Sequence, residues 1–234
     1  MQDRKRIGLG TASAKMESVA SVTHLPTTAE IEAWPDFTAE DPMRLLVSAC
    51  LLGVPCGVDG SSYGAPYPHI QRLLGLSNIR IVAFCPEDHV FGTPRETPDI
   101  HGGTGWDVLD GKARVLSDSG RNWTEPMVEA AYAMLTLAEH NQVHLALLTD
   151  ISAACGSQVI YRGARSGGRH QAGQGVCAAL LIRHGFKVVS HRDHRSLGLV
   201  MHKLEPSVEP DPTARDHHET DWYVDHLGRP AGYS

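Results

Sequence analysis

Four short apolar runs constrain the fold of this chain more than any other feature of its sequence. Each run is continuous rather than alternating in polarity, which is typical of strands that are buried on both faces. The runs are RLLVSA (44–49), IRIVAF (79–84), HLALLT (144–149) and FKVVS (186–190). Such strands need a layer of helices on each side, so the runs predict the interior of a parallel sheet.

Helical patterns lie between these runs. The segments are YPHIQRLLGL (67–76), TEPMVEAAYAMLTLAEHN (124–141) and GQGVCAALLIRHG (173–185). The alternation of strand and helix predicts an α/β fold with a single Rossmann-like, open and mostly parallel sheet and helices on both faces. A further short run, KARVL (112–116), is predicted to be an additional edge strand.

The periodic signals are confined to the middle of the chain. Residues 1–43 mix Ser, Thr, Ala and charged residues, and we predict a polar N-terminal extension with one short helix at TTAEIEAW (27–34). Residues 44–202 form the predicted α/β domain, which is long enough to bury one substantial core. Residues 203–234 are rich in Pro, acidic residues and His, and an irregular C-terminal tail is predicted there.

Charge and hydropathy exclude several classes of partner. The formal net charge of −6 argues against broad attraction to a nucleic-acid backbone, so no nucleic-acid partner is expected. No apolar run approaches the length that spans a bilayer, and the N-terminus carries charges where a signal peptide has its apolar core. We therefore expect no membrane partner and a cytoplasmic location.

Three of the five cysteines follow predicted strands. Cys50 and Cys85 come at the ends of the first two strands, and Cys155 lies in the loop after the third. Because ligands bind such sheets beyond the carboxyl ends of the strands, the three thiols are predicted to share one site. Of the other two, Cys177 is interpreted as a packed helix residue, and Cys56 as either a further ligand or a packed thiol.

Three thiolates suit more than one inorganic centre. Zinc accepts three thiolates together with a fourth ligand. An iron–sulfur cluster takes cysteine as its usual ligand, and a cubane held by three cysteines leaves one iron with an open position. The residues by themselves leave both centres open, together with a binding domain whose thiols serve packing or redox sensing.

Five motifs, in order along the chain, resemble the thiouracil desulfidase family. They are LVSACLLGVPCGVDG, FCPEDHVFGTPRETPDI, GWDVLDGKARV, LLTDISAACGSQVIYRG and GQGVCAALLIRHGFKVVS. The resemblance implies an oxygen-sensitive 4Fe-4S cluster held by Cys50, Cys85 and Cys155, and a thiolated pyrimidine base, such as 2-thiouracil, as small-molecule substrate. It also implies that Glu87 and Ser152 are the catalytic pair.

The chemistry of such a reaction agrees with this pair. Exchange of C=S for C=O on a pyrimidine requires attack by water, a base that takes its proton, and an acceptor for sulfide. Glu87 would deprotonate the water, and Ser152 would hydrogen-bond the ring or the tetrahedral intermediate. The open iron would polarise the thiocarbonyl and take up the sulfide, so uracil and hydrogen sulfide form without net redox change.

The chain departs from the family pattern near its third cysteine. Thr149 and Ile151 stand where basic residues are usual, and Ala153 and Ala154 replace Pro and Ser. Without these basic residues a neutral base is favoured as substrate over a phosphate-bearing compound. Thiouridine nucleosides or tRNA remain the alternative substrates of the same chemistry.

Two further residues are predicted to bind substrate. Asp59 belongs to a VDG turn, and Arg95 of the TPR motif supplies a positive charge. The glycine-rich loop that carries Arg162, Arg165 and Arg169 is interpreted as solvated rather than as a lid over the site. The histidine-rich runs SHRDHR and DHHETDWYVDH are interpreted as polar composition and not as a metal site.

Overall fold

Residues 24–62 and 67–228, which the structure, a computed structural model, describes, form eight strands and eight helices. The strands are β1 (Met43–Ser48), β2 (Ile79–Phe84), β3 (Asp99–His101), β4 (Arg114–Leu116), β5 (Leu145–Leu148), β6 (Val159–Tyr161), β7 (His170–Ala172) and β8 (Val188–Ser190). The helices are α1 (Thr28–Glu32), α2 (Pro68–Leu74), α3 (Pro86–Phe91), α4 (Gly105–Leu109), α5 (Thr124–His140), α6 (Val176–Arg183), α7 (His194–Leu204) and α8 (Asp221–Leu227).

The central sheet contains four parallel strands in the order β2-β1-β5-β8. Successive residues of the inner strands point to opposite faces, so Leu46 and Ala146 belong to one core and Leu45 and Leu145 to the other. Helices α5 and α6 bury their apolar residues in the first core, while α2 and α7 bury theirs in the second. The predicted α/β fold, a parallel open sheet with helices on both faces, is confirmed.

Two of the predicted strands differ from expectation. Strand β2 lies at the edge of the sheet and is partly exposed, with Ile81 36% accessible, although its continuous apolar run predicts burial on both faces. The predicted edge strand at 112–116 forms β4, which pairs with β3 in a separate antiparallel hairpin rather than with the central sheet. Apolar content alone does not distinguish an edge strand from a central one.

The two ends of the chain also contain regular structure. The short helix predicted near residues 27–34 is α1, which begins with a capping box between Thr27 and Glu30. Residues 1–23 and 229–234 lie outside the described residues, and the predicted division of the chain at residues 44 and 202 stays a prediction.

The irregular tail predicted for 203–234 is wrong for residues 217–227, which form a 3-10 turn (His217–Glu219) and α8. The physical reason is that His217, His218 and Tyr223 are buried. The histidine-rich run therefore packs against the interior of the protein instead of facing solvent. Because these residues are polar, the sequence contains no apolar pattern that would predict their burial. No helix among the described residues is long and apolar enough to cross a membrane.

Candidate active site

The three predicted ligands, Cys50, Cys85 and Cys155, line one cavity at the carboxyl edge of the central sheet. Cys50 lies in a 3-10 turn directly after β1, Cys85 directly follows β2, and Cys155 lies in the loop after β5. The cavity has a volume of about 80 Å³, and Cys56, Glu87, Arg95, Thr149, Ser152 and Arg165 also contribute to its lining. The structure therefore brings together thiols that are 35 and 70 residues apart in sequence, as the positions 50, 85 and 155 require.

The first two sulfurs are held by local backbone geometry. The turn that carries Cys50 ends at Gly53, whose φ of 84° is in the left-handed region that favours glycine. The sulfur of Cys85 caps α3 by accepting a hydrogen bond of 3.4 Å from the amide of Asp88. The sulfur of Cys50 and the hydroxyl of Thr149 are 2.9 Å apart, which joins the ends of β1 and β5.

The segment that connects β5 to the first residue of β6, residues 150–159, carries both Ser152 and Cys155; we call it the cysteine loop. The hydroxyl of Ser152 accepts hydrogen bonds from the amides of Ala154 at 3.2 Å and Cys155 at 3.0 Å. The first amides of α6 donate to the carbonyls of Ala153 and Ala154, with Val176 N to Ala153 O at 2.8 Å. A helix N-terminus and a serine thus fix the backbone that presents the third thiol.

Burial governs the protonation of these thiols. Burial raises the pKa of Cys50, raises that of Cys85 to about 12, and raises that of Cys155 well above its ordinary value. The negative charge of neighbouring cysteines acts in the same direction. Three thiolates at this site therefore need an electropositive partner, and a metal centre supplies one.

The donor set has the chemistry of an iron–sulfur site. Thiolate is the usual ligand of iron in such clusters, and the three sulfurs lie on separate loops around one cavity. Within residues 24–62 and 67–228, no group of three or more His, Cys, Asp or Glu side chains is arranged to hold a single metal ion. In a cubane each cysteine binds a different iron, so its ligands do not converge on one point.

Glu87 links two other residues of the cavity. It lies in the first turn of α3, and its Oε2 atom is 2.8 Å from the Nη2 atom of Arg95. Its Oε1 atom accepts a hydrogen bond of 3.2 Å from the hydroxyl of Ser152. Because Ser152 receives two amide hydrogens and gives its own hydrogen to Glu87, the orientation of both side chains is determined.

The side chain of Arg95 lines the cavity, is only 4% exposed and is held by several acceptors. Its guanidinium donates to the carbonyl of Cys56 at 3.0 Å, to the carbonyl of Gly92 at 3.2 Å and to the hydroxyl of Thr93 at 3.0 Å. These contacts join the turn after Cys50 to α3. Arg95 thus positions Glu87 and the turn that contains Cys56. It lines the cavity in which the sequence predicts that it binds substrate.

Asp59 does not line the cavity, although the sequence predicts that it binds substrate. It is exposed, and its carboxylate accepts a hydrogen bond of 2.9 Å from the amide of Ser61. The side chain of Ser61, followed by this backbone hydrogen bond, lowers the pKa of Asp59. The structure shows this residue in a turn, the role typical of its residue type, and its predicted contact with substrate stays a prediction.

Sequence reasoning missed the contribution of Arg165. It was assigned to a solvated loop, yet it lines the cavity, with its guanidinium 4.7 Å from the centre of the Tyr161 ring and 3.8 Å from a carboxylate oxygen of Asp99. The sequence signal was a single arginine among three in a glycine-rich loop. Its contacts with Asp99, 66 residues earlier in the chain, distinguish Arg165 from the other two arginines, and the local sequence does not signal them.

The two remaining cysteines differ in position. Cys56 is buried and lines the cavity, so the alternative that it is a further ligand stays open in geometry. Cys177 is buried in the core on α6 and does not line the cavity, as expected for a packed thiol.

Comparisons with known proteins identify the family of the chain. A family model described as 2-thiouracil desulfurase matches residues 45–193. A protein of Bacillus subtilis (strain 168), described as uncharacterized protein YbbK, is 39% identical over 150 residues, which are 64% of this chain and 96% of that protein. A solved structure, that of the 4Fe-4S-dependent thiouracil desulfidase TudS, is similar with a TM-score of 0.56 and 34% identity, covering 68% of this chain and 97% of that one.

Proposed function

Because the chain belongs to the 2-thiouracil desulfurase family, we propose that it removes sulfur from a thiolated pyrimidine base. The thiocarbonyl and one water molecule become a carbonyl and hydrogen sulfide, so atoms balance without an oxidant or a reductant. We further propose that a 4Fe-4S cluster, held by Cys50, Cys85 and Cys155, is the resident cofactor. The observation that carries the proposal is the arrangement of these thiols with Glu87 and Ser152 around one cavity.

The cofactor part of the proposal is supported by the donor set and by similarity. The three thiols surround the cavity from separate loops, and the similar solved structure is of a 4Fe-4S-dependent enzyme. When bound, the cluster supplies an iron with an open position, a Lewis acid with affinity for sulfur. Cys56 is not needed as a fourth ligand in this arrangement.

Glu87 is the proposed general base. Arg95 binds one of its carboxylate oxygens, while the other faces Ser152 at the cavity. In this position Oε1 takes a proton from the water that attacks the thiocarbonyl carbon. The ion pair with Arg95 holds the carboxylate in one orientation, so its proton-accepting oxygen is placed before substrate arrives.

Ser152 is the proposed hydrogen-bonding partner of the reacting centre. Two backbone amides hold its oxygen, and its hydrogen is directed toward Glu87. When Glu87 receives the proton from water, Ser152 is placed to hydrogen-bond the ring or the tetrahedral intermediate. Its role depends on the cysteine loop, since the same amides belong to the backbone that presents Cys155.

The charges of the cavity favour a neutral base over a phosphate-bearing substrate. Arg95 and Arg165 are the arginines among its lining residues. The guanidinium of Arg95 pairs with the carboxylate of Glu87 at 2.8 Å, and that of Arg165 lies 3.8 Å from the carboxylate of Asp99. Neither is a free cation for a phosphate, and a formal net charge of −6 also disfavours tRNA.

The test is anaerobic reconstitution with iron and sulfide, followed by an assay of sulfide release. We expect about four irons per chain, a brown protein, and conversion of 2-thiouracil to uracil with an equal amount of sulfide. Parallel assays with 4-thiouracil, 2-thiouridine and thiolated tRNA define the substrate class. A colourless protein with one zinc per chain, or turnover independent of iron, would overturn the proposal.

A further inference from the structure

A C-terminal segment, residues 216–227, contacts the cysteine loop from outside the region that the family matches. The family match ends at residue 193. Asp216, His217 and His218 are only 0%, 2% and 1% exposed, although the run that contains them is polar. A segment of this composition is buried only where its polar groups have partners, and the partners lie on the cysteine loop and on the start of α7.

Asp150 connects the cysteine loop to this segment. One of its oxygens, Oδ1, accepts hydrogen bonds from the amides of Ile151 at 3.0 Å, Ser157 at 3.1 Å, Gln158 at 3.3 Å and Val159 at 3.2 Å. The first of these amides begins the loop and the other three end it. A single carboxylate oxygen therefore closes the loop that presents Ser152 and Cys155.

The second oxygen of Asp150 is held by the C-terminal segment. The Nδ1 atom of His217 lies 2.6 Å from Oδ2, and both side chains are buried. Burial acts to raise the pKa of Asp150, but the contact with His217 and the backbone amides more than offset it and hold that pKa below its ordinary value. Loss of His217 would leave a buried carboxylate with amide partners on one oxygen only.

The imidazole of His217 is itself held in place. It stacks on Trp222, with ring centres 5.5 Å apart and planes at 18°, and it meets the edge of Tyr223 at 5.7 Å. Its backbone amide donates to Asp193 at 3.0 Å. These contacts hold the plane of the ring, and its Nδ1 atom faces Asp150.

A second contact lies at the far end of the cysteine loop. The side-chain oxygen of Gln158 accepts a hydrogen bond of 3.0 Å from the amide of His218. Asp216 anchors the segment to α7 by accepting from the amide and the hydroxyl of Ser196, both at 2.8 Å. The segment therefore forms hydrogen bonds with the cysteine loop at Asp150 and at Gln158, which lie on either side of Cys155 in sequence.

We propose that His217 is a positioning residue for the site. Through Asp150, the C-terminal segment holds the cysteine loop in the conformation that presents Ser152 and Cys155 to the cavity. Its effect on catalysis rests on the proposed function, but its effect on the loop does not. His217 touches neither substrate nor cofactor in this proposal, and it acts only through Asp150.

The test compares His217→Ala and His217→Asn with the original chain. Asparagine places an amide donor near the position of Nδ1, whereas alanine removes it. His184→Ala is the matched control, because His184 is an exposed histidine at the end of α6, far along the chain from the segment.

The first measurement is hydrogen exchange of the protein without cluster. We expect amides of the cysteine loop to exchange at least about tenfold faster in His217→Ala, the change that follows loss of one hydrogen bond to a buried charge. Peptides of β1 should not change, and His217→Asn and His184→Ala should resemble the original chain. Unchanged exchange of the loop in His217→Ala would overturn the proposal, whatever the protein's substrate is.

The second measurement uses reconstituted protein. We expect His217→Ala to lose iron to a chelator about tenfold faster and to lower kcat with KM little changed, and His217→Asn to restore both. A variant with normal loop exchange and reduced kcat would contradict positioning. If His217→Ala does not fold, Ser196→Ala loosens the segment more mildly by removing one hydrogen bond to Asp216, and the loop must then also exchange faster.

Discussion

Glu87 and Arg95 form a buried ion pair at the cavity, with 2.8 Å between Oε2 and Nη2 and side chains that are 14% and 4% exposed. The pair joins the proposed base to the turn that contains Cys56, because Arg95 also donates to the carbonyl of that residue. Removal of either charge leaves the other buried without a counter-charge. The residue proposed for catalysis is thus also part of the framework of the site.

A double-mutant cycle tests this coupling. We expect Glu87→Gln and Arg95→Met each to lower the free energy of unfolding by about 3 kcal/mol, the cost of breaking a buried ion pair. The double variant should lose clearly less than the sum, because no unpaired charge remains. Urea unfolding of the four proteins measures the cycle, and Glu139→Gln, which changes an exposed carboxylate, is the control.

The same Glu87→Gln protein separates catalysis from cofactor binding. We expect sulfide release to fall by at least about a hundredfold, since a general base contributes on this order. Iron content and the visible spectrum should stay as in the original chain. Loss of iron in this variant would assign Glu87 to the framework alone.

A cysteine series tests the ligand assignment. Replacement of Cys50, Cys85 or Cys155 by alanine should prevent retention of iron after anaerobic reconstitution, because three sulfurs are the minimum for the proposed cluster. Cys177→Ala should keep a full complement of iron and cost about 1 kcal/mol of stability through lost packing. Cys56→Ala should also keep its iron. Loss of iron in this variant would show that Cys56 is a ligand.

The extent to which this site follows from sequence depends on the kind of residue. The strands predicted at 44–49, 144–149 and 186–190 are confirmed. They could be predicted because a continuous apolar run is a local signal of burial. Cys50 and Cys155 follow two of these strands and lie at one edge of the sheet. The family resemblance is confirmed as well. The turn motif of Asp59 does not determine where its side chain points; the residue does not line the cavity, and its substrate-binding role stays a prediction.

The contribution of the C-terminal segment had no local signal. Its histidines carry no apolar period, and their burial depends on Asp150 and Gln158, which lie about 60 residues earlier in the chain, with separations of 67 and 60. Pairings over such distances are set by tertiary structure. Arg165 was missed for the same reason, since it is held at the cavity by Asp99, which lies 66 residues earlier in the chain.

Thr149 provides a test of the departure from the family pattern. Its hydroxyl lies 2.9 Å from the sulfur of Cys50, and it will donate to that sulfur as a thiolate. We expect Thr149→Val to make the midpoint potential of the cluster more negative, because a hydrogen bond to a ligand sulfur stabilises the reduced state. A redox titration measures the shift. Thr149→Ser should keep the original potential, and equal potentials in all three proteins would contradict the role.

Gly175, the residue directly before α6, lies against the cysteine loop. A Cβ atom there would lie 2.6 Å from the carbonyl carbon and oxygen of Ala154, so the loop would have to move. We expect Gly175→Ala to lower stability by about 3 kcal/mol and to reduce iron retention. Gly167→Ala is the matched control, because a Cβ atom there meets nothing within 4 Å. Similar melting temperatures for the two variants would contradict the prediction.

His191 should make stability depend on pH. Burial, assisted by the charge of Arg192, lowers the pKa of His191 to about 4. Its Nδ1 atom accepts a hydrogen bond of 3.3 Å from the amide of Asp150, and protonation would break that bond. The unfolded chain takes up a proton near the ordinary pKa of about 6.5 and the folded chain does not, so stability falls as pH decreases from about 6.5 to 4. The loss from this residue is roughly 3 kcal/mol.

The prediction is checked by comparing urea unfolding of the original chain and His191→Asn between pH 7.5 and 4.5. Asparagine can accept the amide hydrogen of Asp150 but does not titrate, so its stability should fall less on acidification. The comparison is needed because Asp193 acts in the opposite sense: burial and the charge of Asp216 raise its pKa to about 8, which favours the folded state at lower pH. That contribution is common to both proteins and cancels in the difference. Parallel pH profiles would therefore show that His191 does not titrate as its burial requires.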